Sequence, residues 1–231
     1  MKSEVQAVIG FQIRKRERKV DAALVARFRE LPVANISDSM SRMTAGGAAL
    51  RPMHRGGVLA GPAFTVKTRP GDNLMVHKAL DIAEPGDIIV VDGGGDLTNS
   101  LIGEMMVAHA QARRLGGIVI YGAIRDYDTL HAGDFAVFAA GVTHRGPYKD
   151  GPGEINVPIA IEGMVIAPGD LIVGDGDGVV CVPFDVATEV LKAAEAKHQA
   201  EIKQLAAIKA GKSDRAWVDE ALAKLGCTMQ T

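Results

Sequence analysis

Polar residues that could do chemistry follow two predicted strands, at the point where each strand ends. They are Asp92, Asp96, Asn99 and Glu104 after the strand DIIVVD, and Arg125 and Asp126 after the strand GIVIYG. Ligands of α/β sheets bind outside the carboxyl ends of the strands. Carboxylates there could hold a hard cation such as Mg²⁺, and an arginine could bind the oxygen atoms of an anionic substrate. A structural Arg–Asp pair would give the same pattern, and spacing alone leaves both interpretations open.

Several well-known catalytic motifs are absent from the sequence. It contains no HExxH, no paired CxxC, no GxSxG and no P-loop lysine. The segment VDGGGD, residues 91–96, resembles the glycine-rich loop of Rossmann domains and methyltransferases. The following strand lacks the terminal acid that would bind a ribose, so a methyltransferase is not expected. The glycines are interpreted as a tight turn or as room for a small anion.

The composition excludes further classes of protein. The 26 basic and 28 acidic residues give a formal net charge of −2, which argues against a general nucleic-acid binder. No apolar run reaches the ~18 residues of a membrane helix, and the N-terminal MKSEVQAVIGF has no signal-peptide cleavage site. Cys181 and Cys227 make neither a disulfide framework nor a zinc motif. We therefore expect a soluble, cytoplasmic protein.

The elements that position these residues indicate a mixed α/β fold. Capping residues and apolar spacing predict helices from Asp21, over Ser37–Met43 with Asn35 or Ser37 as the cap, from Met75 to Ile82, over Ser100–Leu115, from Asp185 to Ala210 and over Arg215–Leu225. Alternating or continuous apolar runs predict strands at AFTVKT, DIIVVD, GIVIYG, FAVFA, INVPIAI, MVIAP, DLIVGD and GVVCVP. The central elements form a βαβ unit, and periodicity alone favours a plain doubly wound sheet.

Two terminal segments leave alternatives open. The basic run 14–19 is either a solvated entry segment or an anion-binding arm. The long C-terminal helix packs either on a neighbouring subunit or on its own domain. We interpret 1–231 as one domain, with a core over about 20–183 and a C-terminal helical arm over 184–231.

At the strand ends the sequence resembles a known family. The motifs are Gly71–Asn73, His77–Ala79, GDIIVVDGGGD, Gly103-Glu104, Gly122–Asp126, Pro168–Asp170 and Gly174–Pro183. Over roughly residues 20–210 they resemble the 4-hydroxy-4-methyl-2-oxoglutarate aldolases, a family that includes the regulator of ribonuclease activity A. The resemblance implies an RraA-like swivelling ββα sandwich with N-terminal helices and a long C-terminal helical arm. It also implies a homotrimer or a homohexamer.

The same resemblance implies roles for individual residues. Asp126 matches the carboxylate that coordinates Mg²⁺ or Mn²⁺, and Glu104 matches an acidic position that holds metal-bound water. Arg125 matches the arginine at the keto or enolate oxygen of the substrate. The backbone amides near Gly103, Glu104 and Met105, at a helix N-terminus, would bind the pyruvyl carboxylate.

Two further assignments are looser. His77 matches a histidine near the mouth of the site in some members, and a satisfied helix histidine is the equal alternative. The family aldolases also use an acidic residue from the C-terminal helix of a neighbouring subunit, through water. Glu201 is the best match for that residue, and Glu195 is the fallback.

With these residues the resemblance implies a metal-dependent carbon–carbon lyase. It would cleave 4-hydroxy-4-methyl-2-oxoglutarate-type 2-oxo acids to pyruvate and decarboxylate oxaloacetate. The alternative is a non-enzymatic binding protein like the ribonuclease regulator. The segment after Pro183 and the presence of the acid–arginine set favour the enzyme. We expect a small 2-oxo acid as ligand, no nucleic-acid or membrane partner, and an influence of the loop 146–153 on the pocket.

Overall fold

The computed structural model describes residues 8–44 and 46–228, so most of the segment tested for a signal peptide lies outside the described residues. The helices are α1 (Ala22–Phe28), α2 (Val33–Ser39), α3 (Leu74–Ile82), α4 (Glu104–Ala112), α5 (Tyr127–Ala132), α6 (Ala187–Lys209) and α7 (Ala216–Lys224). The strands are β1 (Phe11–Ile13), β2 (Arg51–Pro52), β3 (Leu59–Thr68), β4 (Ile88–Asp92), β5 (Ser100–Ile102), β6 (Gly117–Ile124), β7 (Val137–Val142), β8 (Gly153–Ile155), β9 (Ile159–Ile161), β10 (Met164–Ile166), β11 (Leu171–Asp175) and β12 (Gly178–Val182). A 3₁₀ turn, Phe184–Val186, leads into α6.

A mixed sheet holds the strands in the order β1-β8-β3-β4-β6-β7-β2. Within it β3, β4, β6 and β7 are parallel neighbours. The long strand β3 changes partner along its length: Leu59–Pro62 pairs antiparallel with β11, and Ala63–Lys67 pairs parallel with β4. This strand therefore joins the central parallel strands to the β11–β12 hairpin.

Alternate residues of the central strands face two different layers. Ile89 and Val91 of β4 pack with α3, α4 and α5, whereas Ile88 and Val90 pack with the β9–β10 and β11–β12 pairs. The helices α1, α2 and the first half of α6 cover the far side of β11–β12. Burial of each such side chain stabilises the fold by about 1.5–3 kcal/mol. The resulting order of helix, sheet, sheet and helix confirms the mixed α/β sandwich and replaces the plain doubly wound sheet.

The helix predicted over Ser100–Leu115 is wrong at its beginning. Ser100–Ile102 forms β5, which pairs in parallel with the end of β6. The N–H and the Oγ of Ser100 donate hydrogen bonds to Arg145 O at 2.8 and 2.9 Å, which holds this segment extended. The helix α4 begins only at Glu104, after Gly103. Gly103 therefore stands at a strand-to-helix junction, which local periodicity did not show.

The predicted helix Ser37–Met43 also lies too late in the chain. The helix α2 occupies Val33–Ser39, and the carboxylate of Asp175 accepts the N–H of Val33 at 2.9 Å. Neither predicted cap begins it, because the helix starts before both. It ends because Ser41 and Arg42 adopt φ angles of 55° and 63°, which an α-helix cannot continue.

The basic run at the N-terminus fastens this segment to the domain. Arg16 Nη1 lies 2.8 Å from Asp87 Oδ1, and both side chains are almost fully buried. Arg18 donates two hydrogen bonds, of 2.6 and 2.9 Å, to the carboxylate of Asp185. Arg16 and Arg18 are therefore engaged within the chain, but every residue of the run 14–19 except Arg16 is exposed, as expected of a solvated entry segment, and the anion-binding arm stays a prediction.

The two halves of α6 differ in burial. Val190, Leu191 and Ala194 in the first half are buried against the domain. In the second half Ile202 and Leu205 are about half exposed. The first half therefore packs on its own domain, and the second half offers an apolar stripe. Across residues 8–44 and 46–228, no helix combines the length and the apolar character that crossing a bilayer requires.

Candidate active site

The ends of β5 and β6 meet at the beginning of α4, and this junction brings an acid and an arginine together. Arg125 N donates to Ile102 O at 3.0 Å, which ties the two strand ends to each other. Asp126 follows with a φ of 56°, a left-handed conformation that is strained for a residue other than glycine and is often found at functional sites. Its Oδ2 accepts the N–H of Glu104 at 2.9 Å. A carboxylate is favoured there because the helix dipole places positive potential at the N-terminus.

The close approach at this junction requires glycine at position 103. A Cβ on Gly103 would lie 2.3 Å from Asp126 Oδ2 and 2.8 Å from Arg125 Cγ. Real Cβ atoms essentially never come within 3.0 Å of a neighbouring heavy atom. The absence of a side chain at position 103 therefore leaves the space that the side chains of Arg125 and Asp126 occupy.

Arg125 and Asp126 form a loose ion pair. Arg125 Nε lies 3.7 Å from Asp126 Oδ2, and the two side chains are 46% and 38% exposed. A pair this exposed contributes only about 0–1 kcal/mol to stability. Its effect is on orientation, and the fork of the guanidinium remains available to an anionic ligand.

An open pocket of about 140 Å³ lies beside the junction. It is lined by Asn73, His77, Ser100, Leu101, Ile102, Gly103, Met105, Met106, Arg125, Pro147 and Lys149. Four of the predicted site residues are among them: His77, Gly103, Met105 and Arg125. The N–H of Glu104 is already donated to Asp126, whereas the N–H of Met105 has no partner among the residues that the structure describes. Of these two amides, Met105 N–H is the one that can bind a ligand carboxylate.

His77 is an exposed residue on α3 at the edge of this pocket. Partial burial and the positive charge of Lys149 lower its pKa, and the carboxylate of Asp81 opposes that shift. No described side chain forms a hydrogen bond with its ring. The imidazole is therefore neutral at pH 7 and open to a ligand in the pocket.

The other predicted strand-end residues do not line the pocket. Asp92 Oδ1 accepts the N–H of Gly94 at 3.0 Å, and Asp96 binds Thr98 within its own loop. Asn99 donates to Gly146 O and so supports the loop that borders the pocket. These side chains shape the surroundings and take no direct part in the pocket.

Seven residues that line the pocket are not among the predicted site residues. They are Asn73, Ser100, Leu101, Ile102, Met106, Pro147 and Lys149. Asn73 stands in the motif Gly71–Asn73, and Pro147 and Lys149 lie in the loop 146–153. Both segments had been noted, but nothing in their local pattern shows that they face the end of β6.

The comparisons with known proteins agree with this architecture. The sequence model of a family described as RraA-like, Aldolase/RraA, matches residues 33–181. The chain belongs to the RraA-like family. The matched range includes all the residues that line the pocket and ends before α6.

Two named relatives and one solved structure are similar to this RraA-like chain. A Halalkalibacterium halodurans protein, named provisionally as a 4-hydroxy-4-methyl-2-oxoglutarate aldolase, is 40% identical over 174 residues, 75% of this chain and 83% of its own. A 4-hydroxy-4-methyl-2-oxoglutarate aldolase of Thermus thermophilus is 33% identical over 48% of this chain and 68% of its own. A Streptomyces coelicolor structure, described as an unusual member of the RNase ES inhibitor RraA protein family, superposes with a TM-score of 0.72. It has 26% identity and covers 80% of this chain and 96% of its own.

The two acids predicted from the C-terminal helix of this RraA-like chain differ in their surroundings. The carboxylate of Glu195 accepts three hydrogen bonds of 2.6–3.0 Å from Arg27. Glu201 is 44% exposed and lies 3.6 Å from Lys197 Nζ. Neither lines the pocket of its own chain. No cluster of three or more His, Cys, Asp or Glu side chains suited to a metal ion occurs in the described parts of the chain.

Proposed function

We propose that this protein is a divalent-metal-dependent aldolase that cleaves 4-hydroxy-4-methyl-2-oxoglutarate-type 2-oxo acids to pyruvate and also decarboxylates oxaloacetate. The observation that carries the proposal is the meeting of the Arg125 guanidinium and the Asp126 carboxylate at the N-terminus of α4, beside an open pocket. Relatives named as aldolases support the same reaction class.

The donor set at this junction fits Mg²⁺ or Mn²⁺. Asp126 uses Oδ2 for the N–H of Glu104, and its Oδ1 accepts no hydrogen bond from any described residue. The side chain of Glu104 is exposed beside it. Magnesium prefers oxygen ligands and keeps several waters, so one or two carboxylates of a chain suffice. We assign Asp126 as the ligand, with Glu104 acting through water; when bound, the cation would polarise the 2-oxo group as a Lewis acid.

The chain's own groups suit the retro-aldol step. The 4-hydroxyl loses its proton to the water held by Glu104 and becomes a carbonyl oxygen as the C3–C4 bond breaks, and the electron pair of that bond moves to the 2-oxo oxygen as the enolate of pyruvate. Arg125 donates hydrogen bonds to that oxygen as charge develops, and one such preorganised donor is worth ~3 kcal/mol. The N–H of Met105 and the dipole of α4 bind the adjacent carboxylate. The same water then gives the proton to C3, which yields pyruvate. Oxaloacetate reaches the same enolate when CO₂ leaves.

A homotrimer or homohexamer in the cytoplasm is part of the proposal. The second half of α6 carries Glu201 together with the exposed apolar side chains of Ile202, Leu205 and Ile208. Exposed apolar stripes of this kind mark protein–protein contacts. In the proposed assembly the second half of α6 and the residues after it lie on a neighbouring subunit, and Glu201 of a second copy reaches the site through water. Glu195 is the weaker choice because Arg27 already binds it.

A coupled pyruvate assay over a panel of 2-oxo acids tests the proposal. We expect release of pyruvate from 4-hydroxy-4-methyl-2-oxoglutarate and from oxaloacetate, loss of both activities in EDTA, and recovery with Mg²⁺ or Mn²⁺. Arg125→Ala should lower kcat by ~10²-fold or more with the fold intact. Arg55→Ala, which removes an exposed guanidinium outside the pocket, serves as the matched control. Full activity in excess EDTA would rule out the metal, and unchanged kinetics of Arg125→Ala would remove that residue from the mechanism.

The second candidate is a non-enzymatic regulator of ribonuclease activity. The likeness to the Streptomyces coelicolor structure favours it. The same assay separates the two, because a regulator releases no pyruvate from any 2-oxo acid of the panel.

A further inference from the structure

A lysine without an acidic partner lies in the pocket. Lys149 lines it together with Arg125 and forms no salt bridge with any described residue. The nearest acid in sequence, Asp150, instead lies 3.7 Å from Arg69. The pKa of His77, which also lines the pocket, is lowered by partial burial and by the positive charge of Lys149. The pocket therefore contains two cationic groups, and only Arg125 is balanced by a neighbouring carboxylate.

The loop that carries this lysine is fixed at both ends. On one side Arg145 O accepts two hydrogen bonds from Ser100, at 2.8 and 2.9 Å. On the other side the fully buried carboxylate of Asp72 accepts the N–H groups of Asp150 and Gly151, at 2.7 and 2.9 Å. Because these hydrogen bonds hold the backbone of the loop, binding through Lys149 requires no additional ordering of that backbone, which favours a defined ligand contact.

We propose that Lys149 binds the second carboxylate of the substrate, at the end remote from the 2-oxo group, and makes the pocket selective for dicarboxylic 2-oxo acids. The inference rests on the proposed function, which places the first carboxylate at Met105 N–H and the 2-oxo oxygen at Arg125. A dicarboxylate then carries its remaining negative charge to the one cation of the pocket that has no partner among the described residues. A monocarboxylic 2-oxo acid leaves that ammonium group unpaired.

Two matched substrates test this selectivity. 4-Hydroxy-2-oxoglutarate and 4-hydroxy-2-oxopentanoate share the reacting carbons and differ in a carboxylate or a methyl group at C5. We expect Lys149→Met to raise KM for the first by about 10- to 100-fold, the usual value of a hydrogen bond to a charged group, and to leave KM for the second unchanged. Lys149→Arg should keep most of the discrimination. Lys67→Met removes an exposed lysine outside the pocket and should change neither KM.

A binding measurement keeps this test separate from the test of catalysis. Calorimetric titration with Mn²⁺ present compares 2-oxoglutarate with 2-oxopentanoate, which are also matched in length. Tighter binding of 2-oxoglutarate that Lys149→Met abolishes would support the subsite even if no pyruvate were released, and the proposed reaction alone would then fail. An equal effect of Lys149→Met on both ligands, no effect on either, or failure of the wild-type protein to bind either acid would overturn the inference.

Discussion

The Gly103→Ala substitution perturbs the site at its most crowded point. The new Cβ would begin 2.3 Å from Asp126 Oδ2, so this oxygen must retreat by at least about 0.7 Å to reach the 3.0 Å that real Cβ atoms keep. The side chain of Arg125 must move as well, because its Cγ would lie at 2.8 Å. A misplacement of ~1 Å in a catalytic group can cost ~10²-fold in rate. We therefore expect kcat/KM for pyruvate release to fall by about 10²-fold.

The same substitution should cost little stability. Both displaced groups, the carboxylate of Asp126 and the stem of Arg125, belong to partly exposed side chains, and Gly103 has an extended backbone that alanine also adopts. Loss of the hydrogen bond between Glu104 N–H and Asp126 costs about 1 kcal/mol, which lowers Tm by about 2–4 °C for a chain of this size. Gly133→Ala is the control, because its Cβ would meet nothing closer than 3.5 Å.

Three measurements decide this prediction. They are steady-state pyruvate release, thermal unfolding, and Mn²⁺ affinity by electron paramagnetic resonance. We expect Gly103→Ala to lose activity and Mn²⁺ affinity together, and Gly133→Ala to retain both. A folded Gly103→Ala protein with wild-type kcat/KM would refute the reasoning, because it would show that the approach of Asp126 and Arg125 to position 103 is not needed. A fall in Tm above about 10 °C would show instead that the clash is not local.

Two further predictions concern stability and are checked by chemical denaturation. The pKa of Asp72 is lowered because hydrogen bonds from backbone N–H groups and from Arg69 outweigh the effect of burial. The ionised carboxylate therefore stabilises the fold at pH values above the unfolded-state pKa of about 3.9. This stabilisation declines as the pH falls below that value. Asp72→Asn should lower the free energy of unfolding by about 2–3 kcal/mol at pH 7, and the difference in this free energy between variant and wild type should become smaller below about pH 4. A difference that stays constant between about pH 7 and 3 would contradict this prediction. Arg16→Ala should cost about 3–5 kcal/mol because it leaves the buried carboxylate of Asp87 without its cation, whereas Lys15→Ala should stay within about 0.5 kcal/mol. Equal effects of these two substitutions would contradict the role of the buried pair.

Much of the fold follows from local sequence pattern. The strand β4 lies within the apolar run that predicts it, β6 begins with its predicted run and extends two residues beyond it, and α6 and α7 agree with their predicted bounds to within two residues. Local signals suffice there because turn residues and apolar periodicity act over a few neighbouring positions. They failed at Ser100–Ile102, where pairing with β6 and with Arg145 overrides helical spacing.

The candidate site divides in the same way. The residues Arg125 and Asp126 could be selected from their types and from the strand end that they follow, whereas Gly103 was indicated only by the family resemblance. The distances between these residues could not be predicted from the sequence, because they depend on how β5 and β6 pair and on the left-handed conformation of Asp126. The basic run at the N-terminus shows a related limit, since its partners Glu84, Asp87 and Asp185 are remote in sequence.

The sequence by itself determined which residues could do chemistry at the ends of the central strands β4 and β6, because the ends of these strands are encoded by short patterns. Only the tertiary structure decided what surrounds them. Asp72 binds the backbone of a loop 78 residues further along the chain, and that contact helps to bring Lys149 into the pocket of Arg125. Contacts at such separation depend on the packing of whole layers, and no local pattern records them.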